Sequence, residues 1–139
     1  MDSSEELKNV YVLDPPLDPG AKECEIESRI LEGTAKVSVL RIDDEEEFLP
    51  YTSDADGLIL AHHVKITRKS ISQLRRTRII ARKGVGVDNV DIIAAREFGI
   101  PVCNVPDYGT EEVADHALAM ALSLWRRLGP LKENVRAGN

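Results

Sequence analysis

Arg78-Ile79-Ile80-Ala81-Arg82-Lys83-Gly84-Val85-Gly86-Val87-Asp88-Asn89 carries a β-branched run into a Gly-x-Gly turn and on toward a helix. The short apolar centre of Arg78 to Arg82 predicts a strand, and its near-continuous hydrophobicity fits a strand covered on both faces. Asn89 to Phe98 then reads as a helix with Val90, Ile93, Ala94 and Phe98 on one face, ended by Gly99. Pro101 to Val105 is the next strand. Strand, turn, helix and strand at this spacing make a right-handed βαβ unit, which means a parallel sheet.

The same alternation extends outward from this stretch. Toward the N-terminus, Asn9 to Asp14 is a strand stopped by Pro15-Pro16 and Pro19-Gly20, and Lys22 to Leu31 a helix with Ile26, Ile30 and Leu31 near one face, closed by Gly33. Ala35 to Ile42 is a second strand. The acidic run Asp43 to Glu47 begins a short helix, where negative charge suits the helix dipole; it reads as a solvated face, with an acidic interaction site as the alternative. Asp56 to His62 is a third strand, and Thr67 caps a helix to about Arg75.

Toward the C-terminus, Thr110 follows the loop Pro106-Asp107-Tyr108-Gly109 and suits an N-cap, with Glu111 and Glu112 in the first turn. Val113, Ala114, Ala117, Leu118, Ala121, Leu122, Leu124, Trp125 and Leu128 form an apolar stripe wide enough for two neighbouring surfaces. Gly129-Pro130 interrupts or kinks this helix, and Lys132 to Asn139 reads as a polar tail. The expectation is an α/β domain with a five-stranded parallel sheet, followed by a long connecting helix.

Composition bounds the function classes. The 139 residues are 42% apolar and 30% charged, which excludes wholesale disorder. No apolar run approaches a membrane span, and the acidic start Met1-Asp2-Ser3-Ser4-Glu5-Glu6 is unlike a signal peptide. Cys24 and Cys103 form at most one bridge and no ligand cluster, so a reducing cytoplasm is expected. A net charge of −6 provides no electrostatic footprint for nucleic acid.

As a dinucleotide fingerprint, Gly84-x-Gly86 fails, because Asn89 stands at the third glycine position and no acidic residue follows at ribose-binding distance. Bare N–H groups at a strand end still suit a small anion such as a carboxylate, or the segment is a tight turn without a ligand. His62-His63, ending the third strand, lies where open parallel sheets bind ligands, and only one of the pair need face the cleft. Adjacent histidines are poor metal ligands, so no metal is expected; a surface or satisfied-polar role is the alternative. Arg82 pairs with a substrate carboxylate in bidentate geometry or forms a salt bridge to Asp88 or Asp91. Thr110 and the N–H groups after it form a second anion site or a plain cap. Cys103, inside an apolar strand, reads as a buried inert thiol. His116 and Asp115 are adjacent on a helix and form no dyad.

Taken in order, Arg82-Lys83-Gly84-Val85-Gly86-Val87-Asp88-Asn89-Val90-Asp91, Ala94-Ala95, Gly99-Ile100, Asn104-Val105-Pro106, Thr110, Val113-Ala114-Asp115-His116 and Arg126-Arg127 closely resemble the D-isomer-specific 2-hydroxyacid dehydrogenases. The match runs from about Asp56 to Arg127. It looks most like the branch of the C-terminal-binding-protein corepressors and their bacterial dehydrogenase relatives.

The resemblance implies a flavodoxin-like substrate domain over residues 1–109, with helices on both faces of its sheet and without its returning C-terminal helix. An inter-domain helix and tail follow over 110–139. Substrate-binding residues would be His62, Arg82, Gly84, Val85 and Gly86, with Thr110 approaching the cofactor. Val85 replaces a small residue often found there, and Asp115 replaces a glutamate. The cofactor would be NAD or NADP, the substrate a small 2-oxo or 2-hydroxy acid, and the assembly a homodimer, with no nucleic acid or membrane partner. In the family, Gly-x-Gly-x-x-Gly and a catalytic arginine, glutamate and histidine come from a Rossmann domain whose positions have no match here. No catalytic residue is therefore expected within this chain, which reads as an N-terminal portion, inactive and without stable cofactor binding by itself. A standalone binding or dimerisation module, or a corepressor-like interaction domain, is the alternative.

Overall fold

In the computed structural model, which describes residues 7–14 and 24–138, the strands are β1 (Lys8–Asp14), β2 (Ala35–Arg41), β3 (Gly57–Leu60), β4 (Ile80–Arg82) and β5 (Val102–Cys103). Every neighbouring pair is parallel, and the order is β2-β1-β3-β4-β5. This is the doubly wound, flavodoxin-like order, with its switch point between β1 and β3. The expected five-stranded parallel sheet is therefore present. β3 is apolar throughout because it lies inside the sheet. Leu58 and Leu60 are fully buried with Leu13 of β1 and Ile80 of β4.

The crossovers are shorter than the sequence suggests. Among the described residues, α1 spans Glu25–Ile30, and Ile26 and Ile30 of its expected apolar face are exposed. Thr67 does cap α2, its hydroxyl accepting from the Lys69 N–H, but α2 spans only Arg68–Ile71. The Ser72 hydroxyl and the Gln73 side-chain amide both donate to the Lys69 carbonyl, a local competition that weakens helices. α3 (Ile92–Glu97) starts after Asp91, whose carboxylate caps the Ala94 N–H. Of the predicted face, Val90 and Ala94 are buried, whereas Ile93 and Phe98 are 67% and 48% exposed and Ala95 is buried in their place.

The acidic run is neither a plain solvated face nor a free acidic patch. Asp44 and Glu47 close a capping box around the 3₁₀ turn Glu45–Glu47. The Glu45 carboxylate accepts from the Thr67 N–H, the Thr67 hydroxyl and the Ser70 hydroxyl, and so clasps the start of α2.

Residues from Asp107 onward form a second compact unit, distinct from the sheet unit that ends at Pro106. It contains α4 (Thr110–Trp125) and α5 (Leu128–Arg136). Thr110 is not the N-cap. Gly109 occupies that position, and Thr110 is the first helical residue. The break lies at Arg127, which takes a left-handed conformation, and not at Gly129-Pro130. Pro130 falls in the first turn of α5, where its missing N–H costs no helical hydrogen bond. The expected polar tail is accordingly helical to Arg136.

Candidate functional site

Three neighbouring strands deliver three loops to one end of the sheet. β3 leads to Ala61-His62-His63, β4 to Lys83-Gly84-Val85-Gly86, and β5 to Asn104-Val105. Leu60 is the register partner of Arg82, so His62 and Gly84 follow matched residues at the same level. The carboxyl end of such a sheet is where ligands bind.

The β4 loop is held by its carbonyls. The Val105 N–H donates to the Gly84 carbonyl at 3.1 Å, and Asn104 Nδ2 donates to the Val85 carbonyl at 2.7 Å. In a trans peptide the C=O and the following N–H point in opposite directions. These two bonds toward β5 therefore turn the Val85 and Gly86 N–H groups away from it. Neither N–H meets an acceptor among the described residues. Two free N–H groups on a glycine-bordered turn suit a small anion.

Arg82 completes this geometry. Its Nη1 donates to the Lys83 carbonyl at 3.0 Å. A Cβ on Gly84 would lie 1.6 Å from that Nη1, so the guanidinium rests against the bare Gly84 backbone. Its Nε is buried without a hydrogen-bond partner. The salt bridge to Asp88 or Asp91 does not form. Among the described residues no carboxylate pairs with Arg82. Asp91 caps α3 instead, and Asp88 lies over Gly86, where a Cβ would be 2.8 Å from its Oδ1.

Both histidines are exposed, with ring centroids 3.9 Å apart. They do not alternate between faces, because β3 ends at Leu60 and strand periodicity ends with it. Cys103 is exposed and not buried, since β5 is a two-residue edge strand. Thr110 begins α4 in the other unit.

Two positions escaped the sequence reading as parts of the site. Asn104 entered it only as part of a family pattern. Asn89 entered as a residue filling a glycine position and as part of the same family pattern, yet it is 6% exposed, and its Nδ2 donates to both the Ala61 and Val64 carbonyls at 2.9 Å. Its Oδ1 is buried without a partner, a cost of about 1–3 kcal/mol. No local signal announces this role, because the acceptors lie 28 and 25 positions earlier. A cavity of about 580 Å³ beside α3 and β5 reaches the candidate loops only at Val87 and at Asn104 of the β5 loop, and is not lined by Arg82, Val85 or Gly86.

The Gly84–Asn89 turn does not fit a dinucleotide, because Asn89 is buried at the third glycine position. The N-terminus of α3 is closed by the Asp91 carboxylate, which repels a pyrophosphate. Among the described residues no group of side chains is arranged to hold a metal ion, and no helix is long and apolar enough to cross a membrane.

Comparison with known proteins identifies the family. Residues 10–129 match the family model described as D-isomer specific 2-hydroxyacid dehydrogenase, catalytic domain. The D-3-phosphoglycerate dehydrogenase of Methanocaldococcus jannaschii is 36% identical over 110 residues, covering 79% of this chain and 21% of that protein. The chain thus spans about a fifth of the length of this relative. The PH0520 protein from Pyrococcus horikoshii OT3 superposes with a TM-score of 0.76 at 26% identity, covering 96% of this chain and 38% of that one. D-lactate dehydrogenase from Aquifex aeolicus, solved with NAD and lactic acid, superposes with a TM-score of 0.74 at 24% identity, covering 94% and 38%. This last likeness is one of fold.

Proposed function

Because the chain belongs to the D-isomer specific 2-hydroxyacid dehydrogenases, matching their catalytic-domain model over residues 10–129, we propose that it binds the carboxylate of a small 2-oxo or 2-hydroxy acid at the Gly84–Gly86 loop. The observation that carries this reading is Arg82, lying against Gly84 on the same turn as the Val85 and Gly86 N–H groups; among the described residues these groups have no carboxylate or other acceptor partner beyond the Lys83 carbonyl bound by Arg82. The two N–H groups receive the carboxylate oxygens, and the guanidinium supplies the compensating charge. His62, at the same level on the next strand, is the second polar contact. The reaction served is reversible hydride transfer between the acid and NAD or NADP, with Thr110 facing the cofactor. The cofactor supplies or accepts the hydride when bound; this chain's residues bind and orient the acid. The exposed apolar residues of α4, Leu118, Leu122 and Trp125 among them, join two copies of the chain.

Titration of the ¹⁵N-labelled chain with pyruvate tests the site. The Val85 and Gly86 amide resonances are expected to move saturably, and Arg82→Ala to abolish the movement. Amides that stay fixed while pyruvate shifts residues elsewhere would overturn the assignment. The chain by itself is expected not to oxidise NADH with pyruvate or glyoxylate, since its described residues form no dinucleotide cradle; turnover above background would refute that.

A further inference from the structure

We infer that Asn89 is a positioning residue of the carboxylate site, acting through His62; the inference rests on the oxo-acid reading above. Asn89 immediately follows the Gly84-to-Asp88 loop in sequence, yet both hydrogens of its side-chain amide are given to the loop after β3. One goes to the Ala61 carbonyl and the other to the Val64 carbonyl, each at 2.9 Å. Those two acceptors bracket His62 and His63, so a single buried amide fixes both ends of the two-histidine turn.

Beyond Asn89, a parallel bridge joins Ile66 to Val90, with the Ile66 N–H donating to the Asn89 carbonyl at 2.8 Å. Main chain and side chain of one residue therefore both anchor the His62 segment beside the segment that carries the anion loop. The amide cannot be there to optimise burial. Its Oδ1 is left without a partner among the described residues, in a residue only 6% exposed, whereas an apolar side chain of similar volume would bury as well but withdraw the donor from the Ala61 and Val64 carbonyls. What an apolar residue cannot do is hold Ala61 and Val64 at one distance from residue 89. The Ala61 N–H also donates to the Leu13 carbonyl at 3.2 Å, which holds the start of the turn to β1; the Asn89 amide is what ties both ends of the turn to the segment after the anion loop.

The experiment is a double-mutant cycle on pyruvate affinity, read from the Gly86 amide, with the His62 imidazole cross-peak followed in the same titration. Wild-type chain should show both signals moving together. Asn89→Leu should leave the Gly86 amide responsive, silence the His62 response, and weaken pyruvate binding by the same factor as His62→Gln, up to about fivefold for an exposed charge contact. The combined variant should be no weaker than either single one. Asn89→Ala removes the two donated hydrogens without setting a charge against the two carbonyls, and should behave like Asn89→Leu if the latter folds poorly. Multiplying effects in the double variant, or a His62 cross-peak that still follows pyruvate in the Asn89 variants, would overturn the role of Asn89 while leaving the carboxylate site standing. A wild-type Gly86 amide indifferent to pyruvate would remove the site itself, and the role of Asn89 with it.

Discussion

Replacing Gly84 by alanine tests whether Arg82 rests on the anion loop in solution. The three atoms nearest the new Cβ all belong to Arg82: Nη1 at 1.6 Å, Cζ at 2.9 Å and Nη2 at 3.7 Å. The severe overlap is therefore with the guanidinium, and relieving it means expelling that group. Expulsion breaks the Nη1 bond to the Lys83 carbonyl, about 1 kcal/mol. The backbone adds a second cost. Gly84 sits at φ +157, a conformation that side chains rarely adopt, with a strain of about 1–3 kcal/mol. Gly84→Ala should therefore destabilise the wild-type chain by about 2–4 kcal/mol. In an Arg82→Ala background only the backbone cost remains. The coupling of about 1 kcal/mol between the two sites is the quantity of interest, and corresponds to about 3 °C in melting temperature. Urea midpoints at constant slope for the four chains of the cycle measure it. Additive effects would mean that the guanidinium does not lie against Gly84, and would remove the argument that it stands ready beside the Val85 and Gly86 N–H groups. Pyruvate affinity should fall in Gly84→Ala as far as in Arg82→Ala, because both remove the same charge from the loop.

Three further outcomes follow from groups away from the site. The Tyr11 hydroxyl is pushed up to about 12, by burial first and then by its hydrogen bond to Asp54 at 3.0 Å; its stabilising contribution is complete below pH 10 and lost as pH rises through about 12, so Tyr11→Phe should flatten the alkaline limb of a stability–pH curve. Burial alone would raise the Asp56 carboxyl, but the Asn9 N–H and the Arg76 guanidinium outweigh it and hold the group below its ordinary value of 3.8. Its contribution is thus present above about pH 3.8 and lost as the pH falls through the lowered value, and Asp56→Asn should make acid unfolding less steep. Sedimentation of the chain should show self-association that Leu118→Glu with Trp125→Glu abolishes; a wild-type monomer at high concentration would refute pairing through α4.

The sheet was legible because its signal is local and repeated. Each strand announces itself by a β-branched or apolar run closed by turn residues, and the connecting lengths admit only parallel crossovers. Helix faces were less legible. A 3.6-residue period places Val90, Ile93, Ala94 and Phe98 on one face; Val90 and Ala94 are buried, while Ile93 and Phe98 are exposed and Ala95 takes their place against the sheet. Small residues allow close approach, and periodicity carries no information about separation. The hinge in the second unit was misplaced for a related reason. Gly129-Pro130 is the strongest breaker by residue type, but a proline in a first turn breaks nothing, and the conformational cost falls on Arg127.

For the candidate site, the divide lies between what one peptide does and what distant groups do to it. Residue types alone mark Gly84-Val85-Gly86 as a turn able to bind an anion, and they equally allow an empty turn. Which reading holds depends on where the N–H groups point, and that is decided by acceptors on the same peptides. Asn104 and the Val105 N–H take the Val85 and Gly84 carbonyls from one side, so the N–H groups can only face the other. If Asn104 is the cause, Asn104→Asp should reverse the effect at its source: a carboxylate facing the Val85 carbonyl repels it, the peptide turns, and the Gly86 N–H leaves the site. Asn104→Ser, still able to donate, should keep more of the pyruvate response than Asn104→Asp although it is the smaller side chain. The opposite ranking, read from the Gly86 amide, would show that bulk and not donated hydrogen bonds sets the loop.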